Sequence, residues 1–459
     1  MSVFSLSNLK KTWYYLQKNG IRNAVWAVLE RIGQEQEVYT WQEPDEKTLS
    51  FQREHSASLR ISIVVPAYRT KKEHLEAMLN SVSRQSYPHW ELIVADAGGT
   101  AESVRAWAKK NGICLREAAD ASNLAEWKDQ SIVLCTLSEN KGISANTNAG
   151  IELAAGDAVG LLDHDDLLTA NALWEMADCL EKEKKRGKQK LVLFSDEDKC
   201  DGAASRFYEP NFKPDFDGEL LLTNNYICHF TVIETAFLKE LKLRSGFDGA
   251  QDYDLMLRAY AAGGQFVHVP KVLYHWRCHE ASTASNPQSK RYAYEAGQRA
   301  LEDYCLRKGW KATVSGLKHL GFYREDYEDS VFCQRPEIGI WAKPLPGGRD
   351  VFGIRHPKGF LVSGLYENDG SMRYAGLRKG YSGPMHRAAL QQSAPAADLR
   401  SMEVCSALKE RYAQTIAELK EACQGLSTAA QETKILQKSM EFCKEATAAG
   451  YGILWDPQA

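Results

Sequence analysis

The chain has 459 residues, which is more than one hydrophobic core usually supports, so its length predicts two domains. Its 57 basic and 60 acidic side chains leave a net charge of −3, which argues against a nucleic-acid binder that depends on counterion release. The eleven cysteines are dispersed without a close pair, which excludes a zinc ribbon and a redox Cys-x-x-Cys motif and fits a reducing cytoplasm.

The first part of the chain carries apolar side chains at helical spacing, with lysines between them, over residues 3–32. We find no signal peptide and no run of about 18 to 20 apolar residues, and we therefore expect a cytoplasmic protein without a membrane span. Two interpretations of the stripe stay open. It is either a helix packed on its own domain or an interfacial helix that rests on anionic lipid at the inner face of the membrane.

From residue 60 onwards, apolar strands alternate with amphipathic helices. Strands are predicted at 60–66, 90–96, 131–137, 191–195 and 265–269, and helices at 71–85, 101–110 and 291–308. This alternation predicts an α/β fold with parallel βαβ units, whose ligands bind beyond the carboxyl ends of the strands.

The residue composition of the sequence changes near residue 330. Prolines and glycines interrupt residues 344–353, a strongly helical run covers residues 399–448, and Gly452–Trp455 could form a closing strand. We expect an N-terminal helical segment over residues 1–58, a main domain over 59–330 and a smaller C-terminal α/β domain over 331–459.

An apolar strand runs directly into carboxylates at residues 157–166. Asp163 and Asp165 should point the same way, because residues two apart on a strand share a face. Paired like charges are costly without a cation, and Mg²⁺ and Mn²⁺ are commonly held by one or two carboxylates plus substrate phosphates. We predict that Asp163 and Asp165 bind Mg²⁺ or Mn²⁺ on a phosphorylated donor. Asp166 or Thr169 could instead simply cap the following helix.

Two later acidic segments carry further candidates. Ser195–Lys199 is either a solvated turn or a contact to a donor or acceptor hydroxyl. Asp252 is our candidate for a general base, because a transferase needs a carboxylate within hydrogen-bond reach of the attacking hydroxyl. Asp252 and Asp254 could also be only acids that the helix dipole favours at a helix N-terminus.

His275 and Arg277 follow another apolar run. We predict His275 as a third metal ligand and Arg277 as a diphosphate ligand, against the alternative that His275 is a satisfied core residue. The sequence has no Gly-x-x-x-x-Gly-Lys-Ser/Thr loop and no Gly-x-Gly-x-x-Gly after a strand. Phosphates would therefore be neutralised mainly by metal and side chains.

Residues 59–315 resemble the family-2 glycosyltransferases, which bind nucleotide-sugars on a GT-A fold. The ordered motifs are Ile63–Tyr68, Asp96, Asn140–Gly150 and Asp163–Asp165. The resemblance implies that Pro66, Ala67 and Tyr68 line the nucleoside, that Asp96 accepts from the base, and that Asn148 and Asp163 belong to the donor site.

Five later motifs resemble a bacterial subgroup associated with cell-surface polysaccharides, some of whose members are rhamnosyltransferase-like. They lie at residues 194–198, 210–215, 224–229, 248–255 and 274–277. In this subgroup Asp252 corresponds to the catalytic base and His275 to a position near the metal. The chain departs from the family at Gln251, where many relatives have Glu, and at Ala97-Gly98-Gly99, where a second acid and a serine are common.

The C-terminal domain resembles part of a degenerate second copy of the same fold, on residues 364–369, 381–387 and 398–400. It has no Asp-x-Asp strand end and no base motif. Acceptor binding or domain assembly is therefore expected there.

Together these features predict an inverting, metal-dependent hexosyltransferase. It would move a sugar from a nucleoside-diphosphate sugar of the UDP or dTDP type to a glycan or lipid-linked glycan hydroxyl, in cell-surface polysaccharide synthesis. Two alternatives stay open. A nucleotidyltransferase that makes a nucleotide-sugar would need a basic, glycine-rich loop after the first strand, which Ala67–Thr70 is not. A non-catalytic glycan-binding subunit would bind carbohydrate without metal.

Overall fold

The computed structural model describes residues 39–118, 128–278, 291–317, 320–328, 330–342, 364–365, 402–424 and 441–455. The predicted helical stripe at 3–32 and the C-terminal motifs at 381–387 and 398–400 lie outside these residues. The chain forms two compact units. One contains Val38–Phe216 and Asn225–Tyr304, and the other contains Asp217–Asn224 and the described residues from Cys305 onwards. The predicted domain boundary near residue 330 stays a prediction.

The first unit is built on a ten-stranded sheet. Its strands are β1 (Ile61–Ala67), β2 (Trp90–Asp96), β3 (Cys114–Glu117), β4 (Ser131–Thr136), β5 (Ala158–Leu161), β6 (Leu167–Leu168), β7 (Leu191–Asp201), β8 (Phe207–Asn211), β9 (Thr231–Glu234) and β10 (Gln265–Cys278). They lie in the order β3-β4-β2-β1-β5-β9-β7-β10-β6, with β8 beside β7. Five neighbouring pairs are parallel and four are antiparallel, so the prediction of a mostly parallel sheet is confirmed.

Helices flank this sheet, as predicted. In the part of the chain that the structure describes, the first nine helices, of which α6 belongs to the second unit, are α1 (Glu46–Glu54), α2 (Lys72–Ser83), α3 (Ala101–Asn111), α4 (Ile143–Leu153), α5 (Ala172–Lys185), α6 (Gly218–Thr223), α7 (Thr235–Leu241), α8 (Gln251–Ala261) and α9 (Arg291–Arg307). The central strands β1 and β2 are apolar almost without interruption because helices cover both faces of a parallel sheet. On α2, the buried residues Leu75, Met78, Leu79 and Val82 recur at helical spacing and pack into this core.

Strand direction decides which side chains share an edge of the sheet. β9 runs antiparallel to both β5 and β7, while β10 runs parallel to β7. The carboxyl ends of β1, β5, β7 and β10 therefore lie at the same edge as the amino end of β9. Asp163 follows β5 and His229 precedes β9, so the topology brings these two residues to one edge.

The second unit contains two small sheets and several helices. Its remaining elements are β11 (Ala312–Gly316), β12 (Tyr323–Tyr327), α10 (Val331–Gln334), β13 (Ile338–Ala342), β14 (Gly364–Leu365), β15 (Met402–Val404), α11 (Ser406–Arg411), α12 (Ala413–Gln424) and β16 (Gly452–Trp455). β11 pairs with β12, and the larger sheet has the order β14-β16-β13-β15. Arg335 anchors α6 through two hydrogen bonds to the buried Glu219, and its guanidinium lies 4.8 Å from the centre of the Trp310 ring.

The predicted smaller C-terminal α/β fold is confirmed by these elements, and the closing strand begins and ends as predicted. In the described residues the predicted helical run at 399–448 is wrong at its start, where the strand β15 lies, and appears further on as α11, α12 and a helix at 441–448. Among the helices that the structure describes, none has the length and apolar character of a membrane span.

Candidate active site

A cleft lies beside the ends of β1 and β5. Residues from six separate stretches line it, among them Pro66, Asp163, Cys228, His229 and Asp252. The proposed metal ligand Asp163 and the proposed base Asp252 come from positions 89 residues apart in the chain, as their numbers show. The fold therefore brings together two carboxylates that the sequence singled out separately.

Asp163 lies among other carboxylates. Burial raises its pKa, and the negative charges of Asp165 and Asp252 raise it further, while His229 opposes them. A positive charge at this position would favour the anionic form of the carboxylate. The sequence prediction of a cation at this position has that physical basis.

Asp166 connects the acidic loop, residues 163–166, to β10 by hydrogen bonds. Its carboxylate accepts the Tyr274 hydroxyl at 2.5 Å and the backbone N–H of Arg277 at 2.7 Å. The Tyr274 oxygen also accepts the backbone N–H of Asp163, at 3.4 Å. The alternative that Asp166 caps the next helix is wrong, because α5 has Asn171 at its N-cap and Asp166 contacts β10 instead.

Arg277 is almost fully buried and also holds this loop. Its Nε donates to the carbonyl of Asp165, and its Nη1 donates to the carbonyl of Gly202 at 2.8 Å. Its Nη2 has no hydrogen-bond partner among the residues that the structure describes. The guanidinium thus positions the backbone next to Asp165, and its predicted contact with a diphosphate stays a prediction.

His275 lies in a buried, largely aromatic environment. Its Nδ1 is 2.5 Å from Asp198 Oδ1, and its ring centre is 4.9 Å from that of Trp41 and 4.3 Å from that of Phe207. These contacts are those of a satisfied core histidine. Its predicted role as a third metal ligand stays a prediction.

The acidic segment Ser195–Lys199 lies inside β7, so the interpretation as a solvated turn is wrong. The three carboxylates are buried, and each has its own partners. Asp196 accepts the backbone N–H of Lys213, and Asp198 accepts the Tyr39 hydroxyl at 2.7 Å. Burial alone would raise the pKa of Glu197, but the charges of Lys213 and His229 hold it at about 2.

His229 is the residue of this cleft to which the sequence assigned no role. Its Nδ1 and its backbone nitrogen both lie near Glu197 Oε2, at 3.1 and 2.8 Å. Its Nε2 faces Asp163 Oδ2 at 3.8 Å. The only signal in the sequence was the motif at 224–229, whose resemblance named no ligand.

Asp252 is the second residue of the helix α8 and lies close to polar partners. Asn225 donates its side-chain N–H to Asp252 Oδ2 at 2.9 Å. The thiol of Cys228 also lies beside it, and burial together with this carboxylate raises the pKa of Cys228 to about 12. The preceding Gln251 accepts the backbone N–H of Gly249 at 2.8 Å and so fixes the loop that leads to the base.

The residues predicted to contact the nucleoside lie at the ends of β1 and β2. Tyr68 is 39 % exposed, and the backbone of Gly98, which has φ of 138°, passes beside its ring. Asp96 is buried and accepts backbone N–H groups from Gly98, Thr100 and Ala101. Ala67 is buried as well. The roles of Pro66, Ala67, Tyr68 and Asp96 towards a nucleoside stay predictions.

Asn148 has both ends of its amide occupied. Its Nδ2 donates to the carbonyl of Leu243 at 2.8 Å, and its Oδ1 accepts the N–H of the same residue at 2.9 Å. These bonds join α4 to the segment after α7. The predicted contact of Asn148 with the donor stays a prediction.

The carboxylate groups in the cleft fit a divalent cation that also binds a substrate. No group of three or more His, Cys, Asp or Glu side chains with the arrangement of a metal site occurs in the part of the chain that the structure describes. Mg²⁺ is usually held by one or two carboxylates together with substrate phosphates and water. Asp163 and its acidic neighbours suit that mode of binding, and a closed site made by the protein alone does not follow.

Residues 62–241 match the family model described as Glycosyl transferase family 2. The chain contains a family-2 glycosyltransferase domain. The resemblance inferred from the motifs is therefore confirmed, together with the α/β fold that it implied. The match covers the acidic loop, β7 and His229, and it ends before Asp252.

Two curated relatives match a similar stretch of the chain. The uncharacterized protein y4gI of Sinorhizobium fredii is 36% identical over 255 residues, which are 55% of this chain and 26% of that protein. The O-antigen biosynthesis protein RfbC of Myxococcus xanthus is 34% identical over 256 residues, which are 56% of this chain and 19% of that protein. The chain thus spans about a quarter or less of the length of these two relatives.

Among solved structures, S. aureus TarS 1-349 in complex with UDP-GlcNAc has 18% sequence identity to the chain and a TM-score of 0.41. The alignment covers 54% of this chain and 67% of that chain. A score of this size does not establish a shared fold. The assignment of the glycosyltransferase domain depends on the family model.

Proposed function

We propose that this protein transfers a sugar, with inversion, from a nucleoside-diphosphate sugar to a hydroxyl of a glycan or lipid-linked glycan in cell-surface polysaccharide synthesis. The observation that carries the proposal is the placement of Asp163 and Asp252 on one cleft of a family-2 glycosyltransferase domain. The relation to RfbC, which is named for O-antigen biosynthesis, supports the polysaccharide context.

In this proposal Asp163 and Asp165 hold Mg²⁺ or Mn²⁺ on the donor diphosphate. A bound cation would stabilise the charge that develops on the leaving nucleoside diphosphate. The hydrogen bonds from Tyr274 and Arg277 to Asp166 fix the loop that carries these two aspartates. The loop is therefore preorganised before the donor binds.

Asp252 takes the proton from the attacking hydroxyl in the same proposal. General-base catalysis of this kind contributes roughly 10²–10⁴ in rate. Asn225 donates its side-chain N–H to Asp252 Oδ2, and this hydrogen bond limits the rotation of the carboxylate. The hydrogen bond from Asn225 thereby holds the Asp252 side chain in place at the cleft.

The test is a donor screen with the purified protein and Mn²⁺. We expect one nucleotide-sugar to release nucleoside diphosphate slowly on its own and faster with a glycan acceptor. Release of pyrophosphate would instead indicate a nucleotidyltransferase. Carbohydrate binding without metal and without nucleotide affinity in calorimetry would indicate a glycan-binding subunit.

Asp252→Asn tests the base. We expect kcat to fall by about 10²–10⁴ while the affinity for the donor changes little, because the amide cannot accept the proton. Asp129→Asn is the matched control, since it makes the same change at a carboxylate that is 43% exposed and contacts His89. Transfer by Asp252→Asn at the wild-type rate would show that another group is the base.

A further inference from the structure

The ring of His229 is fixed by its surroundings. It stacks on the Tyr274 ring with centres 4.9 Å apart and planes at 12°. Glu197 Oε2 lies 3.1 Å from Nδ1 and 2.8 Å from the backbone nitrogen of the same residue. With Nδ1 turned to Glu197, Nε2 is the nitrogen that faces the cleft.

Residues from three of the later motifs meet at this histidine. Glu197 belongs to the motif at 194–198. Lys213, from the motif at 210–215, is buried, and its ammonium group donates hydrogen bonds to the carbonyls of Ile227 and His229. Tyr274 belongs to the motif at 274–277. The fold therefore holds both the ring and the backbone of one residue in place from three directions.

The distance between His229 Nε2 and Asp163 Oδ2 suits two ligand atoms of one cation. At 3.8 Å it is too long for a hydrogen bond. Two ligand atoms that are each about 2.0–2.2 Å from one cation lie roughly 3–4 Å apart. A histidine that binds a metal almost always donates its other ring N–H to a carboxylate or carbonyl, and Glu197 is such a carboxylate.

His275 lacks the corresponding access. Alternate residues of a strand point to opposite faces, so His275 on β10 points away from the face of Tyr274 and Trp276. The rings of Tyr274 and Trp276 are the ones that contact His229, at 4.9 and 5.8 Å. His275 contacts Asp198, Trp41 and Phe207 on the other face.

The geometry points to His229, rather than His275, as the nitrogen ligand of the cation, paired with Asp163. This inference rests on the proposed function, because the donor diphosphate and water would supply the remaining ligands. An imidazole ligand raises the affinity for Mn²⁺ and later metals more than for Mg²⁺. The site is therefore selective for Mn²⁺ over Mg²⁺.

Pulsed electron paramagnetic resonance of the full-length protein with Mn²⁺ and UDP tests the assignment directly. A nitrogen bound to Mn²⁺ gives a ¹⁴N coupling that is independent of catalysis. We expect this coupling in the wild type and in His275→Gln, and its loss in His229→Gln. Loss in His275→Gln with retention in His229→Gln, or no histidine coupling in the wild type, would overturn the assignment.

Two further measurements test the assignment even if His229→Gln does not fold. Wild-type protein with ¹⁵N-labelled histidine should replace the ¹⁴N coupling by a ¹⁵N coupling without any substitution. Glu197→Gln should lower the affinity for Mn²⁺ by about 10–100-fold, as expected when the partner of a ligating histidine is changed. Unchanged Mn²⁺ affinity in Glu197→Gln would contradict the inference.

The donor screen separates this inference from the proposed function. If the wild type releases nucleoside diphosphate with Mn²⁺ but shows no histidine coupling, the ligand assignment is wrong and the glycosyltransferase proposal stands. If no donor is used and the coupling is nevertheless present in the wild type and lost in His229→Gln, the metal ligand is correct and the transfer proposal is wrong.

Discussion

The two faces of β7 and β10 carry similar pairs of residues in different environments. On one face Glu197 pairs with His229, and on the other Asp198 pairs with His275. In both pairs the Nδ1 atom faces the carboxylate. The second nitrogen of His229 faces Asp163 in a cleft, whereas Trp41 and Phe207 surround the ring of His275.

This comparison shows that the partner of a histidine does not define its role. A histidine and a carboxylate form a satisfied buried pair on either face of the sheet. What differs is the rest of the environment: a carboxylate faces Nε2 of His229, and aromatic rings pack against the ring of His275. We expect the first environment to suit a metal ligand and the second to suit a core residue.

The largest effect should come from removing the carboxylate on the cleft face. Glu197→Ala removes the buried carboxylate that lies 3.1 Å from His229 Nδ1 and whose pKa the charge of Lys213 lowers. Breaking a buried ion pair in this way costs about 3–5 kcal/mol of unfolding free energy. Urea unfolding of the wild type and the variant measures this loss.

Asp198→Ala is the matched change on the other face. It leaves the Tyr39 hydroxyl and His275 Nδ1 without an acceptor, which we expect to cost about 1–3 kcal/mol of unfolding free energy. Mn²⁺ affinity should be preserved in Asp198→Ala and lost in Glu197→Ala. Equal loss of Mn²⁺ affinity in both variants would mean that the two faces are not functionally different.

A smaller effect is expected from Tyr274→Phe, which keeps the ring that stacks on His229. It removes the hydroxyl that donates to Asp166 and accepts from the Asp163 backbone. We expect a loss of about 1–3 kcal/mol, since the buried Asp166 loses a hydrogen bond. Thermal unfolding and the KM for the donor measure the two consequences.

Tyr292→Phe provides the control for this change, because Tyr292 is 53 % exposed. It should leave both stability and KM close to wild type. If Tyr274→Phe behaved in the same way, the hydroxyl would not be what holds the acidic loop.

Much of the fold of the first unit follows from the sequence. β2 has the predicted bounds, and the bounds of β1, α2, α3 and α9 differ from the predicted ones by one or two residues. In these elements apolar periodicity and burial agree. β7 and β10 are longer than predicted because their distal halves contain charged residues, which in a strand indicate exposure. Four of these charged side chains, Asp196, Glu197, Asp198 and Arg277, are instead buried and have hydrogen-bond partners inside the protein.

The candidate site was predictable only in part, because local sequence patterns do not report contacts between distant segments. Asp163 and Asp252 were found because carboxylates at a strand end and at a helix start are local features. The nitrogen facing Asp163 comes from a residue 66 positions further along, and β9, which places it, has only four residues. Neither periodicity nor spacing within the chain reports which face of a strand meets a distant segment. His275 was therefore chosen from its local motif, although its contacts lie on the opposite face.

The smallest effect should come from Lys199→Ala, which isolates burial as the variable. Lys199 lies two residues after Glu197, on the same face of β7, and pairs with Glu209 at 2.6 Å. The side chains are 30% and 63% exposed, so water screens the pair and its loss should cost only about 0.2–1 kcal/mol. Urea unfolding in low and high salt measures this cost, which should shrink further in high salt. A cost close to that of Glu197→Ala would show that position on the cleft face, rather than burial, sets the energy of these ion pairs.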